Sequence, residues 1–162
     1  MQFLERTVTY KKPFDVIVGY FTQTKKVETK LLSLGARNVT IHPTLSTPSE
    51  VRWTIQREVR AEAPRPLNKF IKPWNQVTQS EHWHLSLREG VVRGDIEINI
   101  HGVPAGITSH FRLEPKDKGC IAIYDSKISS QIPVAGRLLE TFIHKDALSF
   151  IDQEKQFLEQ TH

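Results

Sequence analysis

IPVAGRLLETFIHKDALSFIDQEKQFLEQTH, residues 132–162, is the stretch that decides the fold. Val134, Ala135, Leu138, Leu139, Phe142, Ile143, Ala147, Phe150, Ile151, Phe157 and Leu158 recur at intervals of three and four. That spacing predicts one long amphipathic helix from Ile132 to His162 with a single apolar stripe. A stripe of this length needs a large apolar surface beneath it. The preceding chain reads as seven strands interrupted only once, so the surface is a curved antiparallel sheet. A sheet wrapped around one helix encloses space that side chains need not fill.

Working back from the helix, period-two alternation marks Val39, Ile41 and Leu45; Val51, Trp53, Ile55 and Val59; Val77, Trp83, Leu85 and Leu87; Val92, Ile96, Ile98 and Ile100; and Ile107, Phe111 and Leu113. Ile121 and Ile123 open the last strand. Their parity disagrees with Ile128 and Ile132, which predicts a bulge between Tyr124 and Lys127. The first strand is expected from Phe3 to Lys12, stopped by Pro13. Residues 14–34 change period and predict two short helices, broken near Gly19 and ended at Gly35. If Glu89 and Gly90 form a two-residue turn, Trp83 falls opposite Ile96 and Leu85 opposite Gly94 on the inner face. His82 then faces Glu97, and His84 faces Asp95, on the outer face.

Composition narrows the class. At 162 residues and 38% hydrophobic, the chain fits one domain, 1–162, with its own core. Cys120 is the single cysteine, which excludes an internal disulfide framework. No apolar run has signal-peptide or membrane-spanning length, so a soluble, cytoplasmic protein is expected. The formal charge of +4 is unevenly placed: residues 1–72 carry 13 Lys and Arg against 6 Asp and Glu, residues 73–162 carry 9 against 12. Such a dipole favours transient contact with an acidic partner or membrane surface. The basic residues are scattered singly and match no nucleic-acid motif, so nucleic acid is not expected as a partner.

The order strand, two helices, six strands, long helix, together with YFTQTKKVETKLLSLG (20–35), GVPAGITSHFRLEP (102–115) and IPVAGRLLETFI (132–143), resembles the START-like and birch-pollen-allergen-like helix-grip superfamily, often called SRPBCC. The likeness is greatest to an uncharacterised branch. It implies an α+β helix-grip fold: a curved seven-stranded antiparallel sheet, two short helices after the first strand, and the C-terminal helix across the concave face. It also implies a hydrophobic cavity. Members carry lipids, fatty acids, sterol-like compounds or polyketides, and some are cyclases or other enzymes; fold alone does not choose between these.

Arg57 is the most informative single residue, because the parity of Val51, Trp53, Ile55 and Val59 turns it inward, where an unpaired guanidinium is costly. The same parity on the following strand turns Gln79 and Glu81 inward, and Glu81 is the expected partner of Arg57. A structural ion pair near the sheet rim would also satisfy both. Trp53, Ile55, Arg57, Gln79, Glu81, Trp83, Leu85, Ile96, Ile98, Phe111, Leu139 and Phe142 are the candidate cavity lining. Leu67, Phe70, Ile71, Val103 and Val134, in proline-bearing loops at one end of the sheet, are candidates for its rim or for a plug of the core.

His82, His84, His101 and His110 invite a metal reading, but the outer face and its acidic partners account for the first two without one, so no metal is expected. Cys120 lacks a histidine at any readable spacing, and GxGxxG, GxxxxGK, HExxH and GxSxG are absent. No catalytic residue and no cofactor is assigned. Binding of a hydrophobic small molecule is the favoured function. A cyclase, aromatase or hydratase using Arg57, Glu81, Gln79 and Ser109 or Ser130, or an interaction module with a collapsed pocket, stays open.

Overall fold

The computed structural model describes residues 1–86 and 88–161. Alternation and helical periodicity become β1 (Gln2–Tyr10), α1 (Phe14–Thr22), α2 (Thr24–Ser33), β2 (Arg37–Ser46), β3 (Glu50–Arg60), β4 (Trp74–Ser86), β5 (Val91–Ile100), β6 (Ala105–Lys116), β7 (Gly119–Ser130) and α3 (Gly136–Glu159), with one turn of 3-10 helix at Arg65–Leu67. The strands form one antiparallel sheet in the order β1-β7-β6-β5-β4-β3-β2. The α+β class, the seven strands, the helical pair after β1 and the closing helix all follow the expectation.

Four local readings change. The break between α1 and α2 falls at Gln23, whose extended backbone (φ −113°, ψ 124°) accepts from the amide of Val27 and donates to Gly19, whereas Gly19 lies inside α1. Gly35, at φ +96°, does terminate α2, in the left-handed conformation that glycine adopts without a Cβ penalty. The expected bulge in β7 is absent: its register with β1 and with β6 runs unbroken through 124–127. Cys120, Ala122, Ser126 and Ile128 are the residues buried on the inward parity, and Ile121 and Ile123 occupy the opposite parity, so the two isoleucines misstate the inward face. Bulges occur instead in the edge strand β2, between Arg37 and Thr40 and between Pro43 and Leu45.

The β4–β5 hairpin is two residues out of the expected register. Ser86 pairs with Val91 across a loop at 87–90, within which Leu87 lies outside the described residues. An even shift preserves every face. It places Trp83 opposite Gly94, and the contact explains the glycine: a Cβ at 94 would come within 2.6 Å of the indole ring.

Helix α3 is shorter at both ends than the 132–162 reading. Val134 precedes it and is 91% exposed, Leu138 faces outward at 43%, and His162 lies outside the described residues. Its 24 residues span roughly 36 Å. Its ends are embedded in different apolar clusters. Leu139 and Ile143 pack with Leu67, Ile71, Val103 and Ile128 at one end, while Ile151 and Leu158 join Ile17, Phe21, Val27, Leu31, Trp83 and Phe111 at the other. Among the described residues no helix is long and apolar enough to cross a membrane.

Gly94→Ala is expected to destabilise the protein by about 1–3 kcal/mol, because the added methyl meets a fully buried tryptophan that has no room to retreat. Chemical denaturation measures it, and a loss below about 0.5 kcal/mol would show that the Trp83 ring is not held over this strand.

Candidate functional site

The middle of α3 spans a cavity of about 350 Å³ between the helix and the concave face of the sheet. Its wall is built by inward parity on six strands, with Leu4 contributed by β1. Ile55, Arg57 and Val59 come from β3, Val77, Gln79, Glu81 and Trp83 from β4, and Ile96 and Ile98 from β5; Ser109 and Phe111 come from β6, Tyr124 and Ser126 from β7. Helix α3 supplies Phe142, Ala147, Phe150 and Glu154. Gly35, Arg60, Asp146, Ser149 and Gln153 are the exposed members of this wall and mark where the cavity meets solvent. That opening lies between α3, the α2–β2 turn and the end of β3.

Of the candidate lining residues, Ile55, Arg57, Gln79, Glu81, Trp83, Ile96, Ile98, Phe111 and Phe142 border the cavity. Trp53 lies behind it, bonded to Glu81, while Leu85 packs against the larger core cluster and Leu139 is buried in the smaller one. Among the candidate rim residues, Ile71 borders the cavity; Leu67, Phe70 and Val103 pack in the smaller cluster that closes the end of the sheet, and Val134 projects into solvent.

Arg57 and Glu81 are each 8% exposed, as inward parity requires, but they do not pair directly. Arg57 Nη1 donates to Gln79 Oε1 at 2.5 Å, and the Gln79 amide donates to Glu81. Glu81 Oε1 also accepts from Trp53 Nε1 at 2.7 Å and from Trp83 Nε1 at 2.9 Å. The carboxylate therefore fixes two indoles and reaches the guanidinium only through an amide. Burial lowers the Arg57 pKa from its ordinary value, and the Glu81 and Glu154 charges oppose that shift.

A second polar group was not foreseen. Lys30 Nζ and Glu154 form a buried ion pair at 3.0 Å that ties α2 to α3, and the Tyr124 hydroxyl donates to the same carboxylate. Burial, followed by the Glu154 charge, holds the Tyr124 phenol well above its usual range. The signal was in the sequence: Glu154 occupies the apolar stripe, three residues after Ile151 and four before Leu158, and Lys30 sits between Val27 and Leu31 on the inner face of α2. Ser109 and Ser126 bond to each other across β6 and β7 at 2.6 Å, whereas Ser130 donates to the Pro104 carbonyl outside the cavity.

His82, His84 and His110 lie on the outward parity of β4 and β6, the convex face. His82 bonds to Glu50 rather than facing Glu97, while Asp95 accepts from His110 Nδ1 at 2.8 Å and lies 4.0 Å from His84 Nε2. The hydrogen bond from His82 is the main cause of the lowered Glu50 pKa. Glu50, His82 and His84 present ligand atoms within 4.8 Å of one another, the one such group among the described residues, and it lies on the far side of the sheet from the cavity. Cys120 is buried, and desolvation pushes its thiol up to about 11, which disfavours the nucleophilic thiolate.

Residues 5–161 match the family described as protein of unknown function (DUF2505). No curated protein matches the chain by sequence. The fold is similar to that of a STAR-related lipid transfer protein fragment from Xanthomonas axonopodis, with a TM-score of 0.63, 13% identity and coverage of 98% of this chain and 86% of the other. It is also similar to Ara h 8.0201 (0.62, 10%, 99% of each chain) and to the Zhui aromatase/cyclase from Streptomyces sp. R1128 (0.60, 11%, 98% and 94%). These likenesses establish the SRPBCC-type helix-grip fold.

Lys30→Ala strands the Glu154 carboxylate in the cavity wall and is expected to cost about 3–5 kcal/mol, most of which the double variant Lys30→Met, Glu154→Leu should recover. Equal denaturation midpoints for wild type and Lys30→Ala would show that the pair is solvated rather than buried.

Proposed function

The chain belongs to the DUF2505 family, and we propose that it binds a hydrophobic small molecule in the cavity between the concave sheet and α3. The observation that carries the reading is the cavity itself. A wall of aliphatic and aromatic side chains surrounds about 350 Å³ that the core leaves open, and the wall reaches solvent on one side. That volume falls within the range of small-molecule pockets, and an apolar wall with a few placed polar groups is their usual chemistry. Water in such a space is poorly bonded, so an apolar guest gains by displacing it.

The names of the structural neighbours, a lipid transfer protein and an aromatase/cyclase, support a ligand drawn from lipids, fatty acids, sterol-like compounds or polyketides. Carriage without chemical change is the favoured mode. The excess of basic residues in the first 72 positions supports brief contact with an acidic partner or an anionic membrane surface during loading, and the cytoplasm is the proposed compartment.

Native mass spectrometry of freshly purified protein, followed by solvent extraction, is expected to release one hydrophobic compound per chain, unchanged on re-addition. Ile98→Trp, which fills the cavity from its floor, should abolish the adduct while retaining the fold. A folded wild-type protein that carries nothing and takes up no neutral solvatochromic probe would contradict the reading. A recovered compound that is converted on re-addition would replace carriage with catalysis in the same cavity.

A further inference from the structure

We infer that the occupant is an amphiphile with a carboxylate head, and that Arg57 receives this head; the inference rests on reading the cavity as a binding site. An arginine side chain has five N–H donors and no acceptor. Here one acceptor from the chain is engaged, Gln79 Oε1, and the buried Nε has no partner. It is the single orphaned buried side-chain atom in the cavity wall among the described residues. A donor left in this state bears its full desolvation cost, several times the net worth of an ordinary hydrogen bond.

Every other interior polar group of that wall is closed on the protein. Lys30 and Glu154 hold each other, Tyr124 is bonded to Glu154, Ser109 to Ser126, and Asn75 bonds both the amide and the carbonyl of Lys72. Glu81, the natural counter-charge, accepts three N–H groups from Trp53, Trp83 and Gln79 and does not touch the guanidinium. Arg57 thus presents a charge without a contacting counter-ion, in a pocket whose remaining wall is mostly apolar.

The shape of the vacancy selects the head group. A hydroxyl or carbonyl offers one acceptor atom and leaves the charge uncompensated. A carboxylate offers two coplanar oxygens and the missing negative charge, which is what the guanidinium fork matches. The aliphatic side chains of Ile55, Val77, Ile96 and Ile98 lie along the same floor and would take the tail.

The test uses lipid-stripped protein, Nile red as a neutral reporter of the cavity, and three competitors with one tail: dodecanoate, dodecanol and methyl dodecanoate. Dodecanoate should displace the dye at a concentration about 10-fold or more below that of the other two, the size of a charge-assisted hydrogen-bonded pair. Arg57→Met, which keeps the bulk of the side chain, should remove that preference and leave dodecanol affinity within about twofold. If the variant does not fold, wild type bound to dodecanoate labelled with carbon-13 at the carboxyl decides: the bound acid should stay ionised to a pH about one unit or more below the free acid. Equal displacement by acid and alcohol, a preference that survives Arg57→Met, or a bound carboxyl that titrates like the free one would overturn the assignment while leaving the cavity reading intact. Failure of Nile red to bind the folded wild type would overturn the cavity reading and this inference with it.

Discussion

One helix is too narrow to cover seven strands. A sheet of this width measures roughly 29 Å along its hydrogen-bonding direction, and a helix with its side chains about 10–12 Å. Curving the sheet brings its two edges toward the helix but leaves a gap between the concave face and the helix axis. The chain closes the gap at both ends and leaves it open in the middle. The 61–73 and 101–104 connections bring Leu67, Ile71 and Val103 against Leu139 and Ile143, and α1 and α2 bring Ile17, Phe21, Val27 and Leu31 against Ile151 and Leu158. Held at its two ends, α3 bridges the centre as a beam does, and the cavity follows from that arrangement.

The polar side chains in the wall have to be consistent with this geometry, because each is denied water and must find its partners within the protein or in a guest. The β7 and α3 side meets the demand internally, through Lys30, Glu154, Tyr124 and the two serines. On the β3 and β4 side, Glu81 organises Trp53 and Trp83 and so stiffens the floor, while Gln79 transmits part of that order to Arg57. The two charges thus differ in how they are satisfied: the Glu81 carboxylate is bonded to two indoles, and the Arg57 guanidinium keeps an unpaired donor.

Much of this was legible in residue order. The stripe from Leu139 to Leu158 required a wide apolar partner, and alternation around Trp53, Trp83 and Phe111 supplied it. Inward parity singled out Arg57, Gln79 and Glu81 because strand period two assigns faces without reference to residue type. The failures have physical causes. On β7 the inward face carries Tyr124 and Ser126 and the outward face carries Ile121 and Ile123, so hydrophobicity points to the wrong face and mimics the parity change of a bulge. In the β4–β5 hairpin the turn signal at Glu89-Gly90 points to a two-residue loop, whereas the steric demand of Trp83 for a glycine opposite it fixes the register at Gly94. The Lys30–Glu154 pair joins α2 to α3, and the periodicity within either helix does not say which charge meets which across elements. Where the cavity opens depends on how the α2–β2 turn, β3 and α3 meet in space, and no local pattern encodes that.

The central claim is that the space beneath the middle of α3 is open and apolar, and xenon tests it without any assumption about the natural ligand. A crystal of lipid-stripped protein held under xenon pressure should show the atom between α3 and the strands, in contact with Ile55, Ile96, Ile98 and Phe111. Collapsed side chains filling that volume, with no xenon bound beneath the helix, would contradict the account.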